Sequence, residues 1–252
     1  NGKDTILAFC HVWIFYLILR YIKKQSFKSE VNNYIISIGI LSAVGSGIQL
    51  VFLGSLITIF TFMLIDIFLI KKFLNLNFSK KKFFLDTLKC ILIFFFILIL
   101  FWKETHPNIF TLPFTFFIEN ITGDNWRGWP YTLLNEKYYF SFNAPKFYII
   151  INLFYKSPEY FLLSYIIFIF LIIKSNIFFT RQFKFFYYKI LLIISIIILP
   201  NFILFFIPFP SYDGLRLFFW SLPYFCIIPS LSIYFLIENY KFLVVKITSV
   251  IL

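Results

Sequence analysis

Apolar residues run along this chain in long blocks, and the charged residues fall in the gaps between them. The first block is Thr5 to Ile22. The second, Tyr34 to Ile70, would be about 55 Å long as one helix, too long for a single membrane crossing, so it is expected to fold back on itself. The closely spaced glycines of Gly45-Ser46-Gly47 mark the expected break, with Gly54 as a second candidate. Phe84 to Trp102, Tyr160 to Ile173, Ile190 to Ile207 and Phe218 to Ile237 complete the series, Tyr160 to Ile173 being the shortest. Blocks of about 17 to 23 apolar residues match the length of helix that crosses hydrocarbon while satisfying its own backbone polar groups. The pattern predicts seven passages in an all-α, polytopic transmembrane helical bundle. One transmembrane domain is expected over 1–252, with a long extracytoplasmic loop region at 103–157.

Charge orients these passages. Lys and Arg crowd into every second gap, at 20–33, 71–83 and 174–189, and into the tail after Ile237. Basic residues are retained on the cytoplasmic side during insertion, so those gaps are predicted to be inside. The opposite side then holds Asn1 to Asp4, the 103–159 region and the 208–216 turn, where seven bases balance seven acids. Composition agrees, since 61% hydrophobic and 13% charged residues do not make a soluble surface around one core. The net charge of +12 is therefore topological, and nucleic acid is not an expected partner. Cys10, Cys90 and Cys226 lie inside apolar blocks without disulfide or metal spacing and read as packing residues. The first charged pair already lies on the outer side, which leads to the expectation of a fragment lacking upstream helices.

Candidate chemistry belongs on the outer face, where polar residues of both signs stand without a topological need. Asp4, just before the first span, could coordinate a cation, act as a base, or pair with Lys3. In the turn Pro208 to Arg216, Asp213 and Arg216 could pair, or the planar guanidinium could grip a phosphate. The 103–156 gap carries Trp102 at its edge, with His106, Trp126, Trp129, Tyr131, Tyr138 and Tyr139 among polar residues, which could stack on sugar rings or form an interfacial aromatic belt. His106 stands apart from His11, so a histidine metal site is not expected. The stretch from Asn143 through Lys146 and Tyr148 to Lys156-Ser157-Pro158-Glu159 reads as a helix along the membrane interface, its lysines facing lipid phosphates or a phosphate-bearing substrate. Serine-hydrolase elbows, phosphate-cradling glycine loops and metalloprotease helices are missing from the sequence.

Four segments, in this order, carry a resemblance. Asn1-Gly2-Lys3-Asp4 looks like an Asn-Pro-Lys-Asp segment before a span, with glycine in place of proline. Trp102 through Pro107-Asn108 looks like the aromatic, Pro-Asn-containing end of a later helix, and Pro145 to Pro158 like a stretch in which proline and tyrosine precede an interfacial helix. Tyr212-Asp213-Gly214-Leu215-Arg216, followed by Phe218, Phe219 and Pro223, looks like a Tyr-Asp/Asn-Gly-x-Arg-His turn before an aromatic helix, with Leu217 in the place of the histidine. Together they resemble the C-terminal part of GT-C type membrane glycosyltransferases, particularly bacterial members similar to glycosyltransferase family 39, the protein-mannosyltransferase-like group.

The resemblance implies a hexosyltransferase of the bacterial inner membrane. It would move a sugar from a polyprenyl-phosphate carrier to a lipid, glycan or protein acceptor, with its site facing the periplasm. Asp4 would be an auxiliary carboxylate, the family's main one belonging to a loop that would precede Asn1, so this chain alone is expected to be inactive. Arg216, Asp213, Tyr212, Lys146 and Lys156 would bind substrate. No cofactor or metal ligand set is expected, a divalent cation being left open, and the partners would be the lipid-linked sugar and membrane lipids. Two other readings stand beside it: a lipid-linked sugar transporter or flippase, which would use ionisable residues within the spans such as Asp66, Asp86 and Lys89, and a non-catalytic membrane protein of the same fold.

Overall fold

The computed structural model of the protein describes residues 2–25, 28–50, 52–70, 78–122, 129–206, 211 and 214–240. Helix α1 (Gly2–Lys24) opens with Asp4 in its first turn and closes on Lys23 and Lys24, charges that suit the two ends of a helix dipole. Its buried stripe, Leu7, Cys10, Ile14, Ile18 and Tyr21, follows the three- and four-residue spacing of one helical face. Helix α2 (Lys28–Ile48) lies between α1 and α4 (Lys80–Phe101). A second group packs α3 (Phe52–Ile65) on α8 (Phe186–Phe206), and α7 (Glu159–Gln182) on α9 (Leu222–Asn239). The core lies where the groups meet, and Ile14, Ile59, Met63, Leu192, Ile196 and Tyr224 are among its fully enclosed side chains.

Among the described residues five helices are long and apolar enough to cross a membrane: Gly2–Lys24, Val31–Ile48, Lys80–Phe101, Glu159–Gln182 and Arg216–Asn239. Two more apolar helices, Phe52–Phe68 and Phe186–Phe202, are shorter. Helices α4 and α7 are the least covered by protein, and Leu92, Phe96, Ile166 and Ile173 stand exposed along them. Such faces suit hydrocarbon rather than water, and the chain is a membrane-embedded, mainly helical protein.

The end of the bundle that holds the last turn of α1 is tied by polar bonds. Tyr21 donates its hydroxyl to Asp86 of α4 at 3.0 Å, and the Gln25 amide exchanges bonds with the Ser79 backbone at 2.7 and 3.0 Å. Ser79 in turn caps α4 by accepting from the Lys82 N–H. Asp86 is thus held by a structural partner on a neighbouring helix.

Three expectations need correction. The break in the second apolar block does not fall at Gly45-Ser46-Gly47, because α2 continues helically through Ile48 and the chain turns at Gln49 and Leu50. Gly45 serves close approach instead: a Cβ there would stand 2.4 Å from the Phe52 ring, so its bare backbone is the surface onto which the start of α3 folds back. The passage read as Tyr160 to Ile173 ends close to a kink at Ser175 (φ −132°, ψ 33°), beyond which a second helical stretch runs on to Gln182. The residues that read as a gap form that second helical stretch.

The bundle is all-α as expected, and the third correction is confined to the 103–157 region. The loop region contains, besides α5 (Leu112–Thr122) and α6 (Tyr148–Lys156), an antiparallel hairpin of β1 (Tyr131–Leu134) and β2 (Lys137–Phe140). Leu134 pairs with Lys137, leaving a two-residue turn in which Asn135 (φ 51°) and Glu136 (φ 63°) both take left-handed angles. That is the turn whose twist matches a hairpin, although Glu is a poor residue for it. Helix α6 lies where an interfacial helix was expected.

Candidate functional site

The first turn of α1 meets the segment that begins at Arg216, and α6 meets the turn just before that segment. Asp4 is buried there, and its Oδ2 lies 3.5 Å from the Nε of Arg216, which is about one-third exposed. Oδ2 has no hydrogen bond, so the contact is an ion pair held at a slightly long distance. Arg216 begins a short 3-10 helix, Arg216–Ser221, that packs along α1 and leads directly into α9. The chain enters that helix through Gly214, whose φ of +66° favours glycine.

Gly214 is gripped from the side by α6. Its N–H donates to the Tyr148 hydroxyl at 2.8 Å, and that hydroxyl also bonds Thr132 of β1 at 3.0 Å. Asn152 is buried one turn further along α6 and donates to the Tyr148 carbonyl at 2.9 Å. Lys156 follows after another turn, and a Cβ on Gly214 would stand 2.0 Å from its Nζ. Spacing by four residues puts Tyr148, Asn152 and Lys156 on one face of α6, and that face is pressed against the turn. The backbone seals the arrangement where the Ser211 N–H donates to the Ser141 carbonyl at 3.0 Å.

Because residues 214 and 216 are at most about 7 Å apart along the chain, the Lys156 ammonium and the Arg216 guanidinium flank one short turn. One cation is thus paired with a buried carboxylate, and a second lies on the turn two residues before it, beside the hydroxyl and amide groups of α6. Such a group can hold an anionic oxygen cluster on the cations while the carboxylate accepts a proton or orients a hydroxyl.

Of the expected site residues, Asp4 and Arg216 form an ion pair, and Lys156 lies against Gly214, two residues before Arg216. Asp4 takes Arg216 as its ion partner, while Lys3 is exposed. Lys146 does not join them: its ammonium sits over the Phe205 ring at 5.4 Å, beside α8. Tyr212, Asp213 and Trp126 lie outside the described residues. Trp129, Tyr131 and Tyr138 are exposed on and beside the hairpin, free to stack on a ligand or sit among headgroups. The His106 ring is taken up by the Ile99 carbonyl at 2.8 Å.

Sequence reasoning passed over Tyr148 as a site residue, and Asn152 altogether. The only signal for them was the four-residue spacing to Lys156. It also passed over His11, two turns below Asp4 on α1. This ring is fully buried, 2.6 Å through Nδ1 from the Tyr224 hydroxyl of α9 and 3.3 Å through Nε2 from the Ser55 carbonyl of α3, with Trp220 packed on it at 4.5 Å between centroids. His11 therefore joins three helices directly beneath the Asp4–Arg216 pair. Among the described residues no three His, Cys, Asp or Glu side chains cluster in a way that would hold a metal ion.

Comparison with known proteins finds no matching family model, no matching curated protein and no matching solved structure.

Proposed function

We propose that this chain is the membrane core of a glycosyltransferase of the GT-C type, which transfers a sugar from a polyprenyl-phosphate carrier on the extracytoplasmic side of a bacterial inner membrane. The reading counts α3 and α8 with the five longer helices as seven passages. It places the first turn of α1, the hairpin and α6 on the outer side, away from the lysine-rich gaps.

One observation carries the proposal. Asp4 and Arg216, picked out from two separate segments of sequence, form an ion pair, and Lys156, from a third, lies against Gly214, two residues before Arg216. Transfer of this kind asks for a carboxylate near the acceptor hydroxyl and for cationic groups that stabilise the departing carrier phosphate. In the proposed division of labour Arg216 and Lys156 hold the phosphate and Asp4 orients Arg216, its carboxylate serving as an auxiliary group rather than the main base. The exposed Trp129, Tyr131 and Tyr138 offer flat apolar surfaces to a sugar arriving from the outer side. The proposed partners are the lipid-linked sugar and an acceptor bearing a free hydroxyl.

The test is discharge of a radiolabelled polyprenyl-phosphate sugar by membranes expressing the complete open reading frame, which reads turnover without knowledge of the acceptor. Asp4→Asn and Arg216→Ala are each expected to lower discharge by about ten-fold or more, roughly 1.4 kcal/mol of barrier. Unchanged discharge at normal expression would remove both residues from the site.

A further inference from the structure

At the other end of α1 the structure has a second cationic feature, independent of the site around Asp4. A cavity of about 380 Å³ opens between the last turns of α1 and the start of α8. Arg20 and Lys23 line it from α1, and Lys184 and Lys189 from the α7–α8 junction and the first turn of α8. From residue 4 to residues 20–23 is about 24 to 29 Å along a helix, close to a full bilayer core. The two features therefore belong to opposite surfaces of the membrane.

We propose that this cavity is a binding site for a phosphate group, presented by an anionic phospholipid of the leaflet on that side. Four bases face one cavity, and no carboxylate lines it. Lys23 and Lys189 are near enough to repel each other, a cost that a bound anion would relieve. Two acids of this end are held elsewhere: Asp66 is buried and acts on Tyr188 electrostatically, and Asp86 is engaged by Tyr21; Glu238, exposed near the end of α9, does not line the cavity. The N-terminus of α8 adds its partial positive charge, since Lys189 and the neighbouring Tyr188 lie in its first turn.

The wall is shaped as well as charged. Phe185, between α7 and α8, holds a left-handed φ of 58°, which an aromatic residue adopts at a cost. It carries the Lys184 ammonium 5.2 Å from its ring, at the cavity. Across from it, Arg20 donates through Nε to the Tyr16 hydroxyl at 2.9 Å and lies 5.2 Å from that ring, so its remaining guanidinium edge is pre-oriented. Leu19 and Ile22 complete an apolar side against which acyl chains can lie. Retention of basic residues on the cytoplasmic side accounts for their number at this end. It does not account for four of them facing one cavity while Lys80 and Lys81 of α4 stand exposed.

The experiment uses the purified full-length protein in detergent, with native mass spectrometry titrating phosphatidylglycerol, cardiolipin or phosphatidylcholine. Saturable binding of an anionic lipid and none of phosphatidylcholine is expected. Arg20→Gln/Lys184→Gln should weaken that binding by about thirty-fold, near five-fold per base removed. The control Lys80→Gln/Lys81→Gln, which alters the same count of charges at the same end, should change it less than about two-fold. Equal losses in both variants would overturn the site in favour of diffuse surface attraction. Millimolar inorganic phosphate and pyrophosphate separate the sources: displacement of the lipid by either assigns the pocket to the free anion, and no displacement assigns it to the lipid. Photo-crosslinking of the unaltered protein with a headgroup-labelled anionic lipid guards against misfolded variants. Labels should fall on the peptides around residues 19–23 and 184–189, and labels spread over α4 and α7 would refute the proposal.

Discussion

Tyr224→Phe isolates the bond that anchors α9 to α1. In its neutral form the His11 ring has one N–H, and a single tautomer satisfies both nitrogens: Nε2–H donates to the Ser55 carbonyl while the Tyr224 hydroxyl donates to Nδ1. Removing the hydroxyl leaves Nδ1 unpartnered in a site with 0% exposure. Such a loss costs about 1–3 kcal/mol in soluble cores. Between membrane helices it averages about 0.6 kcal/mol with a maximum near 1.7, because the unfolded reference also finds partners. Complete enclosure and a distance of 2.6 Å place this bond near the upper end, at about 1.5 kcal/mol or slightly more than ten-fold in the unfolding equilibrium. His11→Leu removes the ring, and the Tyr224 hydroxyl keeps the residue-11 carbonyl, 3.1 Å away, as an acceptor. The double variant should therefore cost about 1 kcal/mol less than the two single variants added. The assay is unfolding by sodium dodecyl sulfate in mixed micelles, followed by tryptophan fluorescence, to which Trp220 on the His11 ring contributes. Additivity within about 0.3 kcal/mol would refute the coupling and leave the two side chains as independent packing residues.

Three further outcomes follow from the geometry. Gly214→Ala places a methyl where the Lys156 ammonium now sits and forces a left-handed alanine, so it should cost about 1–2 kcal/mol and lower carrier discharge along with stability; a wild-type unfolding curve and discharge rate would remove the turn from the site. Glu136→Gly relieves one left-handed non-glycine residue of the hairpin turn and should slow amide exchange across 131–140 by about five-fold, near 1 kcal/mol. Unchanged exchange would mean the turn carries no strain. In a background without Cys10, Cys90 and Cys226, a cysteine at Glu136 should react with an impermeant thiol reagent from outside the cell and one at Lys80 should not, the reverse pattern overturning the proposed orientation.

Much of the helical framework was legible because hydrocarbon demands a run of apolar residues, and such runs are visible without any partner. What the sequence hid were features set by tertiary contact. The Gly45-Ser46-Gly47 segment has the composition of a break, but the ring of Phe52 needs Gly45 as a flat surface, and that need is invisible until α3 is seen folded back. The polar residues after Lys174 look like a loop, yet beyond the kink at Ser175 the chain resumes as helix to Gln182. The hairpin was missed because Asn135-Glu136 is not the glycine-bearing turn that announces one. At the candidate site, Asp4, Arg216 and Lys156 stood out as charges without a topological purpose. Tyr148 and Asn152 did not, since an aromatic and an amide on a short helix acquire meaning only from the Gly214 turn opposite.

The long-range bonds of α1 have a consequence for synthesis. His11 and Tyr224 are 213 positions apart, and the Asp4–Arg216 pair spans nearly the same interval. At ribosomal rates of about 5–20 residues per second, the partners of α1 emerge some 10–40 s after α1 itself. Throughout that interval the carboxylate of the first described helix waits without Arg216, and its imidazole, which meets Ser55 early, waits without Tyr224. A chain released early would expose both in the same helix, a ready mark by which membrane proteases and insertion chaperones could tell an unfinished molecule from a completed one.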